Sequence, residues 1–149
     1  MARNIGILVL AVVVIVVIVA LASMGGGGIV PQQHTANIVN GLITVGAGSY
    51  NDYQFSIPAG ASGASIQGSF TASGGSGNDV IVYVMDSTDF TNWANGHSAS
   101  AFYNSGQETT GTISAPLTAG ETYYLVYDNT FSIISSKNVQ TTVNLTYTN

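Results

Sequence analysis

The chain has 149 residues, only 6% of them charged, with the two cations Arg3 and Lys137 against seven carboxylates and no cysteine. The lack of cysteine excludes disulfides, thiolate metal sites and a cysteine nucleophile. The lack of a basic face excludes nucleic-acid binding, which needs cations that displace counterions from phosphates.

An uninterrupted apolar segment lies near the start of the sequence. Residues 5–22 (IGILVLAVVVIVVIVALA) contain no charged or polar side chain. A helix of this length reaches about 27 Å, close to the hydrocarbon thickness of a bilayer, so we predict a single transmembrane helix that acts as a signal anchor. Because Arg3 precedes it and no cation follows until Lys137, residues 1–4 are expected in the cytoplasm and the rest outside the cell membrane.

The end of the apolar segment leaves an alternative open. Ala20-Leu21-Ala22 fits the small-x-small pattern that signal peptidase cuts after, and the protein would then be secreted after cleavage at Ala22. Residues 23–35 include four consecutive glycines and are predicted to form a flexible tether. Residues 36–149 would be the extracytoplasmic domain.

Short stretches with alternating apolar residues fill this domain, separated by Gly, Ser, Asn and Asp clusters. They predict strands over residues 38–45, 50–57, 65–72, 79–85, 101–104, 109–115, 122–128 and 138–148. Seven or eight strands in this length predict an all-β fold, a two-sheet antiparallel β-sandwich.

Two of these strands, DVIVYVM and TYYLVY, are apolar on both faces. A sandwich strand needs only one apolar face, so something must cover the second. The cover is either the connection over residues 86–100, with Phe90 and Trp93, or another protein or a second copy of the chain. The candidate interaction surface comprises Tyr83, Tyr124, Val126, Phe90 and Trp93.

The stretch GGSGNDVIV, residues 74–82, matches the nine-residue repeat of calcium-binding parallel β-helices. Such sites need tandem copies, and the single copy here predicts a tight turn that leads into a strand. Asp79, Asp86 and Asp89 are weak metal candidates, because nothing in their spacing makes them converge. We expect no metal and no cofactor.

No motif for catalysis is present. The sequence has no nucleophile elbow, zinc-protease motif or phosphate-binding loop, so we expect no enzyme and no small-molecule substrate. Asn144-Leu145-Thr146 is a glycosylation sequon, which makes Asn144 a candidate modification site.

The stretch TYYLVYDNTFSIISSKNV, residues 122–139, resembles the signature of the GOLD (Golgi dynamics) domain family. In that signature an aromatic strand leads into an Asp-Asn turn, and a lysine opens the final strand. The matching residues are Tyr124, Leu125, Asp128, Asn129, Phe131, Ser132, Lys137 and Val139. The chain is similar to small prokaryotic membrane-anchored GOLD-like proteins, and the resemblance implies a β-sandwich that mediates protein or lipid contacts without catalysis.

The signature also has a structural interpretation. Asp128 and Asn129 can accept hydrogen bonds from backbone amides at the strand exit. Lys137 can reach back toward Asp128, and such a pair, if exposed, would contribute at most about 1 kcal/mol and fix the loop register. The alternative is that these residues form a ligand site.

Together these features predict a single-pass, membrane-anchored, non-catalytic protein-interaction module on the cell surface. Its expected partners are the bilayer, through residues 5–22, and another protein or a second copy. The alternative is a structural subunit of a surface filament, because an apolar N-terminal helix followed by a β-sandwich is also the layout of pilins.

Overall fold

The computed structural model describes residues 30–149. The predicted transmembrane segment, residues 5–22, and most of the predicted tether lie outside the described residues. Within residues 30–149 there is no helix of the length and apolar character needed to cross a bilayer.

The described chain is built from eight strands and one short helix. In chain order these are β1 (Gln33–Val45), β2 (Tyr50–Ser56), β3 (Ser62–Ser73), β4 (Val80–Asp86), α1 (Ser87–Ala94), β5 (Tyr103–Glu108), β6 (Thr110–Pro116), β7 (Thr122–Asp128) and β8 (Lys137–Thr148).

The strands form two four-stranded antiparallel sheets that pack face to face. The first sheet has the order β1-β8-β3-β6, and the second has the order β2-β7-β4-β5. The predicted all-β sandwich of two antiparallel sheets is therefore confirmed. The connections β1–β2, β3–β4, β5–β6 and β7–β8 each cross from one sheet to the other.

Alternation along the strands places the core between the sheets. On β8, Val139, Val143 and Leu145 point inward, as their spacing predicts, while the intervening residues are polar. Tyr127 on the facing sheet reaches across the core and its hydroxyl lies 2.6 Å from that of Thr141. The rings of Phe70, Phe55 and Tyr123 also lie in this core.

The sandwich has two distinct ends. Gln32 and Asn149 exchange backbone hydrogen bonds of 2.7 and 3.0 Å, so both ends of the described chain lie side by side. The opposite end, which we call the distal end, carries turns 46–49 and 74–79, residue 109, and loop 129–136. At about 3.3 Å per residue, the 13 residues of β1 separate the two ends by about 40 Å.

Three sequence predictions need correction. Residues 33–35 were assigned to the tether but begin β1, because they pair with the last residues of β8. The fifth strand runs over Tyr103–Glu108 rather than 101–104, since its pairing with β4 continues past a bulge. The connection after β4 contains a helix, α1, which the strand patterns did not predict.

Candidate functional site

The second apolar face of β4 and β7 is covered by α1. Asp86 caps the helix by accepting a 2.8 Å hydrogen bond from the Asp89 amide, which starts the helix directly at the end of β4. The Phe90 ring then stacks on Tyr124 with centroids 4.0 Å apart. Trp93 packs edge-on against Tyr50 at 4.9 Å. The chain itself therefore provides the cover, as one of the two sequence interpretations predicts.

This arrangement decides where the five candidate interaction residues lie. Val126 is fully buried and Trp93 is 7% exposed, so both belong to a second core beneath α1 and offer no surface to a partner. Tyr83, Tyr124 and Phe90 are half-buried around them.

The three candidate metal ligands serve the fold instead. Asp79 and Asp86 flank β4, whose length separates them by about 23 Å. Asp86 caps α1, and Asp89 accepts a 2.9 Å hydrogen bond from the Ser100 amide. Within residues 30–149 no three His, Asp or Glu side chains gather closely enough to hold a metal ion.

The β7–β8 loop, residues 129–136, is fixed at its base by Asn129. This side chain is fully buried, and its Nδ2 atom donates to the carbonyl oxygens of Gly46 at 3.0 Å and Ser135 at 2.8 Å. It therefore binds carbonyls, whereas the sequence interpretation had it bind amides. Asp128 does accept from an amide, that of Thr130, at 2.7 Å.

Lys137 forms the second fixed point of the loop, and its predicted partner was wrong. Its Nζ atom lies 3.1 Å from Oδ1 of Asp79, with the lysine side chain 1% and the aspartate 24% exposed. Lys137 shares the inward face of β8 with Val139, while Asp128 lies on the outward face of β7 with Val126. The two side chains therefore point to different sides of the second sheet.

The Gly-rich turn after β3 packs directly against this loop. Gly74 and Gly75 have φ values of 101° and 71°, and a Cβ atom at Gly75 would lie 2.5 Å from the Ser135 Cβ. The Asn78 side chain closes the turn by accepting a 2.9 Å hydrogen bond from the Gly74 amide. The motif GGSGNDVIV is thus a turn that allows close approach of the β7–β8 loop, consistent with its interpretation from sequence.

Above this frame the loop exposes three large apolar side chains, Phe131, Ile133 and Ile134, which we call the apolar tip. Their exposed fractions are 37%, 85% and 88%. The loop is held from below, since the Ser132 carbonyl accepts a 2.6 Å hydrogen bond from the Gly48 amide and its hydroxyl donates to Ser135. The apolar tip is therefore an exposed apolar patch on a loop that is held by hydrogen bonds.

Sequence reasoning placed Phe131 and Ser132 in a family signature but did not select Ile133 or Ile134. The available signal was the run FSII between turn-forming residues, because consecutive isoleucines are unusual in a loop of Ser, Thr and Asn. Asn144, the glycosylation candidate, lies half-buried on the outward face of β8, where its Oδ1 accepts from Asn37 at 2.9 Å.

Two buried titratable groups lie away from the apolar tip. Burial raises the pKa of Asp52, and a hydrogen bond from its own backbone amide partly offsets this effect. Burial also raises the pKa of Tyr127 far above its ordinary value, although the hydrogen bond with Thr141 opposes the shift. Asp52 is 5% and Tyr127 0% exposed, so neither presents its titratable group at the surface.

No protein-family model matches the sequence, and no curated protein matches it. Among solved structures, the fold is similar to that of Aeromonas hydrophila PliG, a periplasmic lysozyme inhibitor of g-type lysozyme. The TM-score is 0.40 and the sequence identity 15%, over 77% of this chain and 85% of that chain.

Proposed function

We propose that the chain is a non-catalytic binding module that contacts its partner through the apolar tip. The observation that carries the proposal is the 85% and 88% exposure of Ile133 and Ile134 on one loop. Isolated exposed apolar residues are ordinary on protein surfaces, but adjacent ones at a projecting loop are typical of contact sites.

The construction of the loop supports this proposal. Asn129 and the Lys137–Asp79 ion pair fix the two ends of the loop, and the turn at residues 46–49 supports its middle. A loop that is ordered before binding loses less conformational entropy when it meets a partner. The buried polar groups at the distal end thus favour a loop whose conformation is fixed before it contacts a partner.

The family resemblance agrees with this location. Of the signature residues, Asp128, Asn129 and Lys137 belong to the frame of the loop, while Phe131 belongs to the apolar tip. The GOLD-like resemblance implies a role in protein or lipid contacts. We propose that this segment carries that role here.

The proposed setting is the outer side of a membrane, with residues 5–22 as the anchor and the domain outside. The apolar segment and the charge distribution around it support this topology. A non-catalytic role is supported by the carboxylates at the ends of β4, which are engaged in the ion pair and the helix cap.

Photocrosslinking in intact cells tests the proposal. A photoreactive amino acid replaces Ile133 in one variant and Leu42, which is 67% exposed on β1, in a matched control. We expect a light-dependent adduct, with protein or with lipid, from position 133 and none from position 42. Equal yields from both positions, or no adduct from position 133, would show that the apolar tip is not the contact surface.

A further inference from the structure

The apolar tip carries an inference about the partner, which rests on the proposed function above. We infer that it inserts into the interfacial region of a neutral phospholipid bilayer that faces the domain. Interfacial insertion requires exposed apolar side chains with little charge beside them, and it is easier where the supporting backbone is already hydrogen-bonded. The apolar tip is exposed and uncharged, and the base of its loop is hydrogen-bonded.

Little charge lies beside the apolar tip. Residues 129–136 contain no ionisable side chain, and turns 46–49 and 74–78 contain only Gly, Ala, Ser and Asn. The ammonium of Lys137 is buried and paired with Asp79. The carboxylate of Asp128, at the start of the loop, is also buried and accepts from the Thr130 amide, so neither group is exposed beside the apolar tip. Glu108 is exposed at the same end, but it lies on β5, two strands or about 10 Å from β7.

Hydrogen bonds hold the backbone at the base of the loop, which favours insertion because unpaired amides and carbonyls oppose entry into lipid. The amide of Thr130 binds Asp128, and that of Ser132 binds the Asn129 carbonyl. The carbonyl of Ser135 accepts from Asn129 Nδ2 and from the Ser132 hydroxyl. The base of the loop is therefore hydrogen-bonded within the protein.

The size of the apolar tip favours a bilayer over a protein groove. At the exposures given above, its three side chains offer roughly 400 Å² of apolar surface. A stable protein interface buries about 800 Å² on each partner, and its rim is usually polar and charged. A bilayer sets no minimum area, and many anchored copies facing it add their weak contacts together.

Orientation and net charge identify which bilayer. The apolar tip lies about 40 Å from the paired ends Gln32 and Asn149. A domain held at those ends therefore presents the apolar tip to a surface that faces its distal end. The described residues carry seven carboxylates against one lysine, which disfavours anionic lipid headgroups. A neutral bilayer facing the domain is therefore the occupant that fits.

The test uses the full chain inserted through residues 5–22 into donor vesicles of phosphatidylcholine, which are then freed of detergent and of unincorporated protein. Because the chain has no cysteine, Ile133→Cys can carry a single environment-sensitive nitrobenzoxadiazole label, and Leu42→Cys is the matched control. Acceptor vesicles of phosphatidylcholine alone are then added. We expect the emission at position 133 to rise about twofold, the emission at position 42 to stay constant, and the vesicles to cluster.

An unlabelled Ile133→Ser/Ile134→Ser variant should reduce the clustering rate by about tenfold or more, with the emission of Trp93 unchanged as a control for folding. Clustering that persists in this variant, or no response to acceptor vesicles, would overturn the inference. Clustering that requires protein on both vesicle populations would also overturn it, because the occupant would then be a second copy of the chain. An emission rise before acceptor vesicles are added would overturn it too, because the apolar tip would then contact the donor bilayer. If vesicles have no effect while position 133 still crosslinks in cells, the bilayer inference fails and the proposed function stands.

Discussion

Replacement of Asp79 by alanine removes the counter-charge of an ammonium that is 1% exposed. An uncompensated buried charge costs about 3–5 kcal/mol, and the partial exposure of the pair favours the lower end. Lys137→Met removes the buried charge instead and leaves Asp79, which is 24% exposed, able to bind water. Lys137→Met is expected to lower the free energy of unfolding by about 1 kcal/mol. The two substitutions, one at each partner of the ion pair, should therefore differ in their effect by about 2 kcal/mol.

Chemical and thermal unfolding of the detergent-solubilised full chain, followed by the emission of Trp93, measures this difference. For a domain of this size we expect the melting temperature to fall by about 10 °C in Asp79→Ala and by about 3–4 °C in Lys137→Met. The double variant should resemble Lys137→Met, because the lone lysine is then gone. Glu121→Ala, an exposed carboxylate at the other end of the sandwich, is the matched control. Equal losses from the two single variants would refute the argument from burial.

Three further substitutions follow from buried contacts. Asn129→Ala should lower the unfolding free energy by about 2–3 kcal/mol, measured from the urea midpoint, because two backbone carbonyls lose their donor. Gly68→Ala should cost at least about 1–3 kcal/mol in the same assay, since its Cβ would overlap the Thr142 carbonyl oxygen on the neighbouring strand. Asp52→Asn should stabilise the protein at pH 7, because it removes a carboxylate whose charged form is disfavoured by burial. The raised pKa means that the folded state holds this proton more tightly, so the contribution of Asp52 is lost as the pH rises above 3.8, and a pH series of melting temperatures should be flatter in the variant.

Much of the fold could be predicted because the strands carry a local signal. The alternation of Val139, Val143 and Leu145 with polar residues specified which face of β8 is buried. The two-sided strands β4 and β7 likewise indicated that something covers the second face. The order of strands within each sheet could not be predicted, since it depends on pairings between residues far apart in sequence.

The helix α1 could not be predicted because it is eight residues long and its few apolar residues give no extended helical period.

The partner of Lys137 could not be predicted for a different reason. Asp128 is nearer in sequence, but alternation along β7 and β8 sends the two side chains to different faces, and Asp79 reaches Lys137 only through the turn after β3. The apolar tip could not be predicted because the exposure of a loop side chain depends on the neighbouring turns and not on the local sequence pattern.

The role of the apolar tip is tested most directly by the rate at which a membrane-impermeant maleimide labels Ile133→Cys in intact cells, relative to the purified full chain. Leu42→Cys provides the reference, because both positions are well exposed and the native chain contributes no thiol. If the apolar tip is engaged, labelling at position 133 should slow by about tenfold in cells while position 42 is unaffected. Equal labelling of both positions in cells and in the purified chain would contradict a contact role for the apolar tip.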